Sequence, residues 1–182
     1  MGGVTTYPPG AKENGGIFLH ANPWAIMAEC VRGNGDRAWR YYQQINPAAR
    51  NDDLDRFEVE PYVYPQNVLG DEHPQFGLGR NSWLSGTASW AYQSATQRIL
   101  GIRADYAGLV VDPRVPGAWK GFTVVRRFRG ATYRIRVRNP RGTGKGVASA
   151  SIDGRPLAVE GGVALLPVMP ADTVHEAEIE LM

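Results

Sequence analysis

Three stretches of the chain hold more polar and glycine residues than a scaffold needs. The first runs from Tyr7 to His20 and reads Tyr-Pro-Pro-Gly-Ala-Lys-Glu-Asn-Gly-Gly-Ile-Phe-Leu-His. Its Pro-Pro start and paired glycines predict a shaped loop, which delivers Lys12, Glu13, Asn14 and His20 to the start of an apolar helix. The second, Glu58-Val59-Glu60-Pro61-Tyr62-Val63-Tyr64-Pro65-Gln66-Asn67, combines two carboxylates with tyrosines and amides. Sugars bind to aromatic faces and to planar polar groups that take paired hydrogen bonds, so this stretch could line a sugar site. The third, Gly77-Leu78-Gly79-Arg80-Asn81-Ser82-Trp83-Leu84-Ser85-Gly86-Thr87-Ala88, is a glycine- and hydroxyl-rich loop that feeds into a helix. A helix start presents free backbone N–H groups and the positive dipole end, which suit an anion. Ser85 and Thr87 add hydroxyls, and glycine at 86 allows close backbone approach. Each stretch also has a plainer reading: a solvated linker, an exposed Glu-x-Glu strand face, and helix capping by Ser85 or Thr87.

Other chemistries find no support. Three histidines and the single cysteine, Cys30, do not form metal-ligand spacing. There is no nucleotide phosphate loop and no Gly-x-Ser-x-Gly elbow. A net charge of +2 is too small to suggest nucleic acid, and no apolar run approaches the ~20 residues of a membrane helix. Met1-Gly2-Gly3-Val4-Thr5-Thr6 lacks the basic and apolar regions of a signal peptide, so a cytoplasmic protein is expected. Cys30, inside an apolar run, is expected to be a buried packing residue.

The elements that must position these stretches fall into two parts. Asn22-Pro23 is a good helix start; Trp24, Met27, Ala28 and Val31 share one face, and Gly33 ends the run. Asp36 is expected to cap a second helix carrying Trp39, Tyr42 and Ile45, with Pro47 beyond its end. A third helix is predicted over Thr87–Leu100, stopped by Gly101. The stretch of about forty residues between the second and third has no clear periodicity, and loops that long are uncommon unless they carry function. After residue 104 the pattern changes to strands. Thr132-Tyr133-Arg134-Ile135-Arg136-Val137-Arg138 alternates strictly, as a half-buried antiparallel strand does. Phe122, Val124 and Phe128 alternate similarly, and Asp153-Gly154 is a hairpin signal after Ala148–Ile152. Val163–Val168 and Val174–Leu181 are further candidate strands. The row of arginines reads as a solvated strand face, because no aromatics interleave as a stacking platform for nucleic acid would need. Composition marks the same boundary. Basic and acidic residues number 9 and 10 before residue 105, then 11 and 8, and only Trp119 of the five tryptophans lies beyond it.

The motifs at 7–20, Glu-Pro-Tyr-Val-Tyr at 60–64 and Asn-Ser-Trp-Leu-Ser-Gly-Thr-Ala-Ser-Trp at 81–90 resemble those of cellobiose and cellodextrin phosphorylases. These are members of glycoside hydrolase family 94, with chitobiose phosphorylase and the phosphorylase module of cyclic β-1,2-glucan synthases. The likeness continues through Ile99-Leu100-Gly101-Ile102, Asp112-Pro113 and Trp119-Lys120-Gly121-Phe122. It implies an α+β chain: residues 1–104 as the last helices of an (α/α)6 catalytic barrel, and residues 105–182 as a small C-terminal antiparallel β-sandwich domain.

The resemblance also implies a function: an inverting phosphorylase that cleaves β-linked gluco-oligosaccharides with inorganic phosphate to give α-glucose 1-phosphate. His20, Ser85, Gly86 and Gln66 stand at phosphate-binding positions, and Lys12 at an acceptor-sugar position. Serine at 85 replaces a threonine and keeps the hydroxyl. The family's general acid, an aspartate, precedes the first motif, so no catalytic residue is expected in this chain. The chain is accordingly expected to be a C-terminal portion, inactive alone. Expected partners are inorganic phosphate, a β-gluco-oligosaccharide and the missing N-terminal part of the enzyme, with a homodimer among the assemblies considered. No cofactor, metal, nucleic acid or membrane is expected. The alternatives are a non-catalytic carbohydrate-binding module and the phosphorylase-like module of a cyclic β-1,2-glucan synthase.

Overall fold

The computed structural model describes residues 2–182. The chain divides into two compact units: residues up to Ala28 with Arg40–Ser94, and Glu29–Trp39 with Ala95–Met182.

The first unit holds short elements: β1 (Ile17–Phe18), most of α1 (Asn22–Val31), the end of α2 (Gly35–Ile45), α3 (Leu54–Phe57), β2 (Asn67–Val68), β3 (Gly79–Arg80) and α4 (Thr87–Gln93). The strands are two residues each and form an antiparallel sheet in the order β1-β2-β3. Phe18 pairs with Asn67, and Asn67 with Arg80. This small sheet ties together three segments far apart in sequence, which propensity does not reveal because two residues carry no period. Phe57, Val59 and Val63 form a buried cluster with Val68 packed against it. The expected aperiodic stretch therefore contains α3, a 3-10 segment Pro47–Asp53 and two of the sheet's strands.

Two helical expectations need correction. Asp36 lies inside the first turn of α2, not ahead of it; in the second unit its carboxylate accepts from the Gly117 N–H at 3.2 Å. The third helix is not α-helical throughout: α4 ends at Gln93 and Ser94–Ile99 is π-helical. There the Leu100 N–H donates to the Ala95 carbonyl, five residues back, at 2.8 Å, and Gly101 follows in the left-handed region with φ 69.

The second unit carries β4 (Ile102–Ala104), β5 (Gly108–Val111), β6 (Gly121–Phe128), β7 (Ala131–Arg138), β8 (Val147–Ile152), β9 (Arg155–Leu157), β10 (Val159–Glu160), β11 (Val163–Pro167) and β12 (Val174–Leu181). They make a four-stranded sheet, β10-β11-β5-β4, and a five-stranded sheet, β6-β7-β12-β8-β9. The expected all-antiparallel arrangement is wrong at one place, since β7 and β12 run parallel. Alternation sorts residues between the faces of a sheet but is the same for either pairing direction. In the parallel register Tyr133, Ile135 and Val137 lie beside His175, Ala177 and Ile179, all buried. On the other face Arg134, Arg136 and Arg138 meet Glu176, Glu178 and Glu180 at 3.2, 3.5 and 3.8 Å. These pairs are exposed and each stabilises by at most about 1 kcal/mol, but they neutralise the arginine row. Among the described residues no helix is long and apolar enough to cross a membrane.

Candidate functional site

The β1-β2-β3 sheet sets the geometry of the first unit. His20 lies two residues after β1, Gln66 immediately before β2, and Ser85-Gly86 between β3 and α4. The Leu19 N–H donates to the Gln66 carbonyl at 3.0 Å, and the Gln66 N–H is shared between the Arg80 and Asn81 carbonyls, both at 3.1 Å. The backbone of all three expected segments is thereby tied together.

His20 lies directly on Gly86. A β-carbon added at 86 would come 2.9 Å from His20 Cε1 and 3.3 Å from Nδ1. Trp24 and Trp90 flank the imidazole, with ring centroids 5.1 and 6.5 Å away, and the two indoles meet edge to face at 5.8 Å. The aromatic rings restrict how the imidazole can turn, so it is held against Gly86. From the sequence alone, Trp24 is a helix-face residue and Trp90 a motif residue. The available signal was that each lies four residues beyond a site residue, near the start of a helix; Trp90 is one helical turn from Gly86, whose carbonyl accepts from the Trp90 N–H at 3.3 Å.

Ser85 does structural work. Its Oγ accepts from the Thr87 N–H at 3.0 Å and makes a short hydrogen bond with the Thr87 hydroxyl. Thr87 is fully buried. Ser85 thus braces the turn one residue ahead of the cap position, which is Gly86 at φ −74, without a side-chain cap.

Lys12 is placed elsewhere. Its ammonium lies 5.4 Å from the centre of the Tyr7 ring, a cation–π contact. It lines a recess of about 390 Å³ with Asn67, His73, Arg80 and Asn81. Asn67 is 1% exposed, and neither its Oδ1 nor its Nδ2 has a partner. Such a buried amide is costly unless something completes it.

The second polar stretch splits. Glu60 accepts from Trp83 Nε1 at 3.1 Å, and Tyr62 stands edge to face with Trp83 at 6.2 Å. Tyr62 and Trp83 are exposed, so an aromatic corner with a carboxylate faces outward. Glu58 instead ends α3 in the left-handed region. Tyr64 hydrogen-bonds Tyr42, and its phenol is pushed well above the usual tyrosine range, first by burial and then by that bond. Lys12, Glu58, Asn81 and Trp83 all have positive φ. Such conformations store strain in non-glycine residues and cluster at functional sites.

Comparison with known proteins bears on residues 1–101, which match the family model described as "Glycosyl hydrolase 94 superfamily, catalytic domain". Over 154 residues the chain is 47% identical to the N,N'-diacetylchitobiose phosphorylase of Vibrio furnissii, covering 85% of this chain and 19% of that protein. It is 35% identical over 153 residues to the cyclic beta-(1,2)-glucan synthase NdvB of Rhizobium meliloti (strain 1021), covering 82% of this chain and 5% of that protein. It is 29% identical over 181 residues to the solabiose phosphorylase of Paenibacillus borealis, covering 100% of this chain and 23% of that protein.

Proposed function

The chain belongs to the glycosyl hydrolase 94 superfamily, and from that premise we propose that it is the phosphate-holding portion of an inverting glycoside phosphorylase. Residues 1–104 would close an (α/α)6 barrel, and residues 105–182 would form its C-terminal β-domain. The observation that carries the reading is the imidazole of His20 resting on the bare Cα of Gly86 between two tryptophans.

In this mechanism a carboxylic acid protonates the glycosidic oxygen as its bond to the anomeric carbon breaks. Phosphate attacks that carbon from the opposite face and inverts it. Phosphate replaces the water of an inverting hydrolase, so no carboxylate base is required. The protein must hold a dianion beside a carbon with oxocarbenium character, using fixed donors and positive charge. His20 supplies one donor, Gly86 has no side chain and so lets the imidazole lie against the start of α4, and Gln66 supplies an amide. Ser85 fixes the Gly86-Thr87 backbone by accepting from the Thr87 N–H, and its hydroxyl is assigned to the phosphate site on the strength of the motif. Lys12 is assigned to the acceptor sugar. The acid is assigned to no residue of this chain, which alone is proposed to be inactive.

The motifs suggest cellobiose or cellodextrins, giving α-glucose 1-phosphate. The 47% identity to a protein named for N,N'-diacetylchitobiose favours that disaccharide over the glucan. The 35% identity to NdvB keeps a glucan-synthase module as the second reading. The test has two arms. The 182-residue chain, supplied with each disaccharide and phosphate, should release no sugar 1-phosphate. In a complete enzyme containing this segment, His20→Ala should raise the apparent constant for phosphate roughly 30- to 150-fold, about 2–3 kcal/mol, with little change for the disaccharide. Turnover by the chain alone, or an unchanged phosphate constant, refutes the corresponding part.

A further inference from the structure

The second unit contains a recess of about 220 Å³ lined by Cys30, Val31, Gln97, Arg98, Arg103, Asp112 and Arg114. Three guanidiniums share it with one carboxylate. Asp112 accepts from Arg114 at 2.5 Å and pairs with Arg103 at 3.8 Å. These side chains are partly withdrawn from solvent, at 34% exposure for Arg103, 22% for Arg114 and 20% for Asp112. Arg98 is half-buried and forms no ion pair among the described residues.

No other lining or adjoining group supplies the missing negative charge. Glu29, next to Cys30 in the chain, is engaged with Arg32, Arg37 and the Asn34 amide. The Cys30 thiol is pushed up to about 11, chiefly by burial and against the pull of Arg114 and Arg98, so it stays protonated at neutral pH. Two positive charges are thus left without a counter-charge in a half-buried recess, where repulsion between them is screened less than at the open surface. The backbone supports the same point. Gln97 and Arg98 belong to the π-helical segment Ser94–Ile99, and a π-turn inside a helix commonly marks a functional site. It brings a planar amide and a free guanidinium fork to one recess, and guanidinium forks suit the paired oxygens of a phosphate.

We propose that Gln97, Arg98, Arg103 and Arg114 form an oxyanion site for phosphate or a phosphate monoester. All four residues lie in the second unit; His20 and Gly86 belong to the first, and the proposal does not depend on the reading given to them. Arg98 donates two parallel N–H bonds to the anion, Gln97 adds its amide N–H, and Arg103 and Arg114 balance the remaining charge while staying oriented by Asp112.

The test is a titration of the full 182-residue chain with inorganic phosphate, replacing chloride at constant ionic strength. The side-chain N–H signals of Gln97 and Arg98 are followed by NMR. A saturable shift at both is expected. Arg98→Gln should weaken it at least tenfold, or about 1.4 kcal/mol, and His20→Ala should leave it unchanged. Arg98→Lys, which keeps the charge and loses the fork, should fall between parent and Arg98→Gln; it decides the matter if Arg98→Gln does not fold. Glucose 1-phosphate and glucose, titrated in parallel, tell the sources apart. Tighter binding of the ester than of phosphate assigns a phosphorylated sugar, equal binding assigns free phosphate, and glucose should not bind. Shifts that chloride reproduces, that never saturate, or that persist in both Arg98 variants overturn the proposal.

Discussion

Gly86→Ala isolates the geometry of the proposed phosphate site with the smallest possible change. Gly86 has φ −74 and ψ −1, a conformation open to any residue, so alanine adds no backbone strain. What it adds is a methyl group 2.9 Å from His20 Cε1, 3.3 Å from Nδ1 and 3.6 Å from Nε2. The first two separations are shorter than a carbon's usual contact of about 3.5–4.0 Å, so the ring must move by several tenths of an ångström. Trp24 and Trp90 stand against it, and the ring must leave its place or turn its nitrogens. Losing one charge-assisted hydrogen bond to a dianion costs about 1.5–3 kcal/mol, which is roughly 10- to 150-fold in the apparent constant for phosphate. The assay uses a complete enzyme containing this segment. Initial rates are measured against phosphate at saturating disaccharide, then against disaccharide at saturating phosphate. Thermal melts of the 182-residue chain show whether the fold survives; alanine at a compatible glycine site stabilises by roughly 0.4–1 kcal/mol before the clash is counted. An unchanged phosphate constant in a variant that melts like the parent would refute the reasoning, as would an equal loss for both substrates.

Three further outcomes follow from hydrogen bonds in the structure. Ser85→Ala removes the acceptor for the Thr87 N–H and should lower stability by about 1 kcal/mol, seen as a reduced melting temperature, with a smaller effect on phosphate than Gly86→Ala. Tyr133→Phe deletes a fully buried hydroxyl that donates to the Pro167 carbonyl at 2.7 Å and accepts from the Met169 N–H at 3.0 Å. Leaving both without a partner should cost about 1–3 kcal/mol in urea unfolding, and a loss under about 0.5 kcal/mol would show that water or a shifted loop replaces the hydroxyl. Asp153 is held below the usual carboxylate range, first by its hydrogen bond with His175 and then by the Glu176 N–H. Its contribution is therefore present above about pH 4, the value in the unfolded chain, and is lost as pH falls through its lowered folded value. Asp153→Asn should be less stable than the parent at neutral pH and should show a flatter loss below pH 4; parallel midpoint-against-pH curves would remove the coupling.

Residue types proved easier to read from the sequence than the geometry that makes them a candidate site. The alternation of Thr132–Arg138 predicted which side chains β7 would bury, and Asp153-Gly154 predicted the β8–β9 turn, because both signals are local. The parallel partner of β7 was not legible, since period two is blind to direction; complementary charge was the only hint, with glutamates at 176, 178 and 180 repeating the spacing of arginines at 134, 136 and 138. The π-helical turn at Ser94–Ile99 escaped for a related reason. A short widening of a helix leaves its start and its stop at Gly101 unchanged, and those were the signals available, yet it decides where Gln97 and Arg98 lie. The sharpest case is the β1-β2-β3 sheet. Each strand has two residues, too few for any pattern, and its stability comes from pairing partners far apart in the chain. His20, Gln66 and Gly86 could be singled out by residue type and motif, but their common location depends on those pairings and on two tryptophans, each four residues beyond a site residue. A chemical motif thus predicts a site only as far as the chain supplies the long-range pairing that gathers it. Here that pairing is carried by Phe18, Asn67 and Arg80, residues whose types give no local sign of it.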